Sequence, residues 1–187
     1  MALKHTYATL VEAMRSCFQF ENVDMLQHGY MVHDAYLQLI DLLSIGMILE
    51  GLPEELIDVY QKHKDDLFDN ACMKLYHTYH DCGKPFCRVI DENGRQHFPN
   101  HAEVSYQLFC QAFPDDKPEQ FMILHDMDFH TMKPNALEEL SKTEYGFSLY
   151  LTAWAELIAN SSLFGGFDSI SFKIKKKHLK KSLKLFL

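Results

Sequence analysis

Apolar residues recur every three or four positions through most of the chain, the period of one face of an α-helix. The stretch TYATLVEAMRSCFQF (6–20) opens with that pattern. A long segment from about Val23 to Leu49 continues it through Val32, Tyr36, Leu39 and Leu43. GLPEE then stops one helix and starts another, with Gly51 as breaker and Pro53 near a first turn; Ile57 and Tyr60 give the new helix an apolar side. KDDLFDNACMKLYHTYHD (64–81) predicts the next helix, with a Leu67, Ala71, Leu75, Tyr79 stripe and His80 and Asp81 in its last turn. Gly83 and Pro85 end it and turn the chain away, which predicts an open rim at His80 and Asp81. The polar loop ENGRQHFPN has Asn93-Gly94 as its turn signal. Pro99 and Asn100 open a helix over NHAEVSYQLFCQAF, and Pro118 starts one over DKPEQFMILHDMDFHTM. KTEYGFSLYLTAWAELIANSSLF reads as a long apolar helix that stops at Gly165-Gly166. Trp154 and Tyr150 on it read as core. SISFKIK alternates like a short strand or extended arm, and KKHLKKSLKLF closes the chain as an amphipathic helix. The expected fold class is all-α, a helical bundle over residues 1–172 with a basic tail or helix at 173–187.

Charge divides the chain in the same place. The seven lysines of 173–187, removed from a formal net charge of −8, leave −15 on residues 1–172. An acidic body repels nucleic acid except where metal or lysine offsets it; the tail reads first as a solvated lysine run, with packing of lysine stems over the domain and polyanion binding as its other readings. No apolar run approaches the roughly 18 residues of a membrane span. MALKHTYATLVEAMRSCFQF lacks a signal-peptide layout, so a cytoplasmic location and no membrane partner are expected. The five cysteines have no paired spacing and read as reduced thiols.

Eleven histidines are many for 187 residues. His28, His80, His101 and His125 fall on or near the apolar sides of four different predicted helices, and Asp81 adjoins one of them. Any one alone reads as a hydrogen-bonded core histidine. Together they suit a metal site, because helix bundles build such sites by aiming side chains from several helices at one point. Imidazole and carboxylate suit one or two divalent Mn, Fe, Co, Ni or Zn ions, and spacing does not choose among them.

HGYMV (28–32), HDCGKP (80–85), HFPNH (97–101) and LHDMDFH (124–130) resemble the HD superfamily of metal-dependent phosphohydrolases. The segment YHDCGKPFCRVIDENGRQHFPNHAEVS is most similar to the HD domain of some tRNA nucleotidyltransferases and its stand-alone relatives, and the likeness spans about residues 24–165. The resemblance implies His28 as first ligand, His80 and Asp81 as the central pair, and His101 and His125 as the additional histidines of a dinuclear branch. It implies a terminal carboxylate on the last core helix, where AELIAN offers Glu156 in place of the usual Asp. Asp126 and Asp128 are fallback carboxylates, read as a solvated helix face. His33-Asp34 is a second HD dipeptide, in mid-helix with no Gly-Lys after it, and reads as a decoy with His33 on a polar or semi-buried face.

Phosphoester hydrolysis needs a nucleophile and charge neutralisation, which a metal supplies by lowering the pKa of water and polarising the phosphoryl oxygen. Asp81 is the candidate catalytic carboxylate, and Lys84 the candidate to meet a non-bridging phosphate oxygen. Its other reading is a lysine completing a helix dipole. Arg88 and His97 in the following loop are candidate substrate contacts or plain surface residues. The expected function is hydrolysis of a phosphomonoester or phosphodiester on a nucleotide, a cyclic nucleotide or an RNA end. Two alternatives stand beside it: a di-iron oxygenase of the same superfamily that cleaves a small polyol or phosphonate, and a degenerate HD domain that binds without turnover.

Overall fold

The helical periodicity is realised along the chain in a computed structural model, which describes residues 6–187. Residues 1–5, the start of the stretch read above for a leader, lie outside the described residues. In order, α1 (Tyr7–Arg15) leads into strands β1 (Phe18–Phe20) and β2 (Val23–Asp24), then α2 (Met25–Ser44) and α3 (Glu55–His63). A 3-10 turn, Lys64–Asp66, precedes α4 (Asn70–Tyr79) and the short α5 (Lys84–Cys87). Strands β3 (Val89–Ile90) and β4 (Gln96–His97) follow, then α6 (His101–Ala112), α7 (Lys117–Leu124) and α8 (Asp128–Thr131). After a second 3-10 turn come α9 (Glu138–Ser141), α10 (Gly146–Ser161) and α11 (Ile170–Ser182). Among the described residues the strands form only two antiparallel ribbons, β1 with β2 and β3 with β4, so the protein is all-α. No helix among the described residues is long and apolar enough to cross a membrane.

Four local readings are corrected. The helix predicted over 6–20 ends at Arg15, and Phe18–Phe20 form β1, because the Glu21-Asn22 turn folds Val23–Asp24 back along them. SISFKIK is the first part of α11 rather than a strand. The Ser169 side chain accepts a hydrogen bond from the Phe172 amide at 3.2 Å and starts the helix. Phe172, Leu179, Leu183 and Phe186 then recur at helical spacing and are buried, while Ile170 and Ile174, which gave the apparent alternation, are exposed. The helix predicted over 64–81 begins only at Asn70, and its inner face is Met73, Tyr76, His77 and Tyr79, with Ala71 exposed. The helix predicted from Pro118 to Met132 breaks around His125–Met127 into α7 and α8.

The chain divides into two units, residues 1–30 with 71–126 and residues 31–70 with 127–187. In the first, Tyr79, Phe109 and Phe113 form an aromatic cluster, with Phe109 and Phe113 stacked at 4.6 Å, and Leu10, Met14 and Met25 are fully buried. Gln96 Nε2 donates to the Phe18 carbonyl at 2.8 Å, which ties the two ribbons together. In the second, α10 is buried on every side except at Asn160, as an apolar helix must be. Tyr150 stacks on Phe186 at 4.8 Å and donates to the Leu179 carbonyl, so α11 is fastened to α10. Trp154 and Tyr150 are core residues, as read from the sequence.

Candidate metal centre

Three elements of the first unit deliver the central side chains. His28 lies in the first turns of α2, His80 and Asp81 directly follow the last residue of α4, and His101 opens α6. Glycine makes two of the approaches feasible. A Cβ on Gly29 would stand 2.6 Å from the Thr78 carbonyl oxygen and 2.7 Å from that of His77, so only glycine lets α2 pass this close to the end of α4. A Cβ on Gly83 would strike the Ser105 amide and stand 2.8 Å from the His101 carbonyl oxygen. Gly83 instead donates its own amide to Ser105 Oγ at 2.8 Å. Its role is close packing against α6, rather than only ending a helix. Asn100, with φ of 55°, turns the chain into α6 in the left-handed region that Asn tolerates, and so sets His101 as the first helical residue.

Asp81 is surrounded by imidazole nitrogens. His80 Nε2 lies 3.3 Å and His28 Nε2 3.7 Å from Oδ2, and His101 Nε2 lies 3.6 Å from Oδ1. The ligating atoms of His28, His80 and Asp81 all fall within 4.8 Å of one another. Backbone contacts fix two of the tautomers. His80 Nδ1 is 2.7 Å from the His77 carbonyl, and His101 Nδ1 is 3.0 Å from that of Phe98. Each Nδ1 therefore carries the proton in the neutral ring, and each Nε2 turns a lone pair toward a carboxylate. Acceptor facing acceptor is unfavourable unless a proton or a metal cation lies between them. A ring nitrogen anchored on a carbonyl while the other faces inward is the arrangement of metal-ligating histidines. Two ligands on one ion with bonds of about 2.1 Å stand about 3.0–3.4 Å apart. The observed separations lie at or slightly above that range. His28, His80 and Asp81 thus form a group that could hold a metal ion.

Charge supports the same reading. Burial pushes the Asp81 carboxyl up, but opposing charges, the Lys84 ammonium first among them, hold it well below the usual carboxylate range, so it is ionised. Burial pushes the His101 imidazole down, the direction that keeps it neutral. Both are the ligating forms. Lys84 Nζ donates to Asp81 Oδ2 at 2.6 Å and to Gln19 Oε1 at 3.0 Å, and it lies 5.4 Å from the centre of the Phe98 ring. Asp81 Oδ1 accepts no hydrogen bond. The carboxylate therefore has one oxygen held by an ammonium and one open to a ligand.

His80 and Asp81 are 1% and 2% exposed, which overturns the open rim expected at the helix end. Lys84, expected at the end of one helix, is the first residue of the next and is itself buried against Asp81, and Pro85 sits in that first turn, where it has no amide to lose. His125 is half-buried against Phe121, with ring centres 4.4 Å apart, and is not part of the His28, His80 and Asp81 group. Asp126 was read as solvated but is buried. Its Oδ1 accepts from the Tyr76 hydroxyl at 2.6 Å, and a carboxylate oxygen lies within 4.8 Å of a His80 ring nitrogen. Asp128 is half-buried. In the second unit Glu156 is buried on α10 with its carboxylate 2.6 Å from His130 Nε2. Arg88 is exposed, and His97 is exposed and paired with Asp91 at 2.8 Å. His33, expected on a polar or semi-buried face, is buried, while Asp34 is exposed. Sequence reasoning missed Gln19, because the β1 ribbon that carries it was read as helix. It also missed Tyr76, whose place three residues before Tyr79 on the inner face of α4 was the available signal.

Compared with protein-family models, with curated proteins and with solved structures, the chain matches none.

Proposed function

We propose that the chain is a metal-dependent phosphohydrolase of the HD type, acting on the phosphate ester of a nucleotide, a cyclic nucleotide or an RNA end. The observation that carries this reading is the ring of three histidine Nε2 atoms around a buried, ionised Asp81 with a lysine ammonium on the same carboxylate. His28, His80, Asp81 and His101 would hold a divalent ion, which would supply Lewis acidity and lower the pKa of water there. The chain's own residues do the rest. The backbone carbonyls of His77 and Phe98 hold two rings in the ligating orientation. Lys84 spends two of its three protons on Asp81 and Gln19 and has a third for a phosphoryl oxygen, beside the developing charge that a phosphoryl transfer must neutralise. Gln19 is a positioning residue that keeps the ammonium aimed.

The test is a screen of nucleoside monophosphates, 2′,3′- and 3′,5′-cyclic nucleotides and phosphorylated RNA ends with protein loaded with Mn²⁺, Co²⁺, Ni²⁺ or Fe²⁺, with an oxygen electrode in parallel. Phosphate release or ring opening that depends on the metal and is lost in Asp81→Ala is the expected result. Oxygen uptake by the iron-loaded protein without hydrolysis would replace this reading with the oxygenase. Nucleotide binding without turnover under every metal would replace it with a binding domain.

A further inference from the structure

The two flanks of α11 have opposite surroundings. On one, Lys176 and Lys180 border a groove whose other wall is Glu54, Glu55 and Asp58, and Lys180 Nζ sits 2.7 Å from the Glu55 carboxylate. That flank is neutralised within its own unit. On the other, Lys181 and Lys184 join Lys180, Lys133, Pro134 and Asn135 around an open groove of about 600 Å³ with no carboxylate in its wall. The lysine ion pairs of this unit join Lys142 to Glu138 and Glu139, Lys173 to Asp168 and Lys180 to Glu55. Among the described residues, none involves Lys133, Lys177, Lys181 or Lys184.

Lysines that merely solvate an acidic protein would be expected to meet its acids, as the first flank does. The second flank stacks like charges at helical neighbour positions, Lys177 on Lys181 and Lys181 on Lys184, an arrangement that repels itself. Complementing the helix C-terminus accounts for the last turn alone. It leaves Lys177 unexplained, and also Lys133, which comes from another segment. Lys177 and Lys181 stand about 6 Å apart along α11, and Lys184 follows in the 3-10 turn Leu183–Leu185, so the charge forms a row rather than a point.

We infer that this groove and its lysine row bind the phosphodiester backbone of a single-stranded nucleic acid. The row suits successive phosphates on one strand. The net charge of −15 on residues 1–172 confines the footprint to a few charges. No aromatic side chain lines the groove, so the contact is to phosphates and carries no base preference. This inference stands apart from the hydrolase reading, since none of its residues belongs to the metal centre.

The experiment is fluorescence anisotropy of a labelled 20-nucleotide oligouridine with the metal-free full chain, titrated between 50 and 200 mM salt. Four phosphate contacts predict a slope of log K against log salt of about −2.8. The Lys177→Gln, Lys181→Gln, Lys184→Gln triple variant is expected to weaken binding at low salt at least tenfold and to flatten the slope by about 2. The corresponding triple change to arginine retains binding, and Lys142→Gln leaves it unchanged. No binding at 50 mM salt, equal binding by the glutamine triple, or capture by phosphatidylserine vesicles without capture of oligouridine would each overturn the inference.

Discussion

The chain contains two His-Asp dipeptides, and they have opposite fates. His33-Asp34 lies inside α2, where successive side chains point about 100° apart. The two side chains there point in different directions, and His33 is buried while Asp34 is exposed. His80-Asp81 follows the last residue of α4, where the chain leaves the helix through a turn held by Cys82 N to the Tyr79 carbonyl and Lys84 N to the Asp81 carbonyl. Outside the helix both side chains can face the same point, and both are buried with Nε2 and Oδ2 3.3 Å apart. The dipeptide is therefore no site in itself. The helix end, the glycine that lets α6 close in, and the lysine that follows make it one.

The contrast is sharpest in stability. Asp81→Ala leaves the Lys84 ammonium buried without its carboxylate and is expected to cost roughly 3–5 kcal/mol in the metal-free protein. Asp34→Ala on the exposed face of α2 should stay within about 0.5 kcal/mol. Urea unfolding of the two variants side by side measures both, and equal losses would break the comparison. Lys84→Met removes the other half of the pair. It should destabilise the metal-free protein by a similar amount, and added Zn²⁺ or Mn²⁺ should then raise Tm more than in the wild type, because the ion becomes the main cation on Asp81. An identical metal-induced shift in both proteins would show that Lys84 and the ion act on separate groups.

Acid gives a smaller effect with a defined sign. The folded Asp81 carboxyl protonates only well below its ordinary value of 3.8, so its contribution is complete above that pH and is lost as pH falls further. The stability gap between metal-free wild type and Asp81→Asn should thus be constant from neutral pH to about 4 and then close. A gap that already closes near pH 6 would instead assign it to the histidines. Smallest is His125→Ala, which removes a half-buried ring stacked on Phe121 and should leave bound metal unchanged. Loss of metal in that variant would place His125 in the centre after all.

Much of the fold was legible because the hydrophobic period is helical and its breaks carry Gly and Pro. That His28, His80 and His101 would converge on Asp81 was legible in their placement on the apolar sides of helices and in Gly83 and Lys84 after the dipeptide, which separate a helix end from a helix interior. Burial at the site was not, since nothing local in the sequence says that a helix end followed by Gly83 and Pro85 would be buried rather than open. Gln19 was hidden because FQF has no helical or strand period long enough to choose between the two. Asp126 was hidden because a carboxylate beside an exposed turn looks solvated until Tyr76, fifty positions away in sequence, is brought to its oxygen. SISFKIK misled because Ile170 and Ile174 mimic alternation while Phe172 and Leu179 carry the true helical face.

The measurement that bears most directly on the metal centre is elemental analysis of the protein purified without added metal and after reconstitution with Mn²⁺, Fe²⁺, Co²⁺, Ni²⁺ or Zn²⁺, with Asp81→Ala and Asp34→Ala treated identically. One or two transition-metal ions per chain in the wild type and in Asp34→Ala, and none in Asp81→Ala, is the predicted result. Wild-type protein that retains no ion under any of these conditions, or an Asp81→Ala variant that retains as much as the wild type, would contradict it.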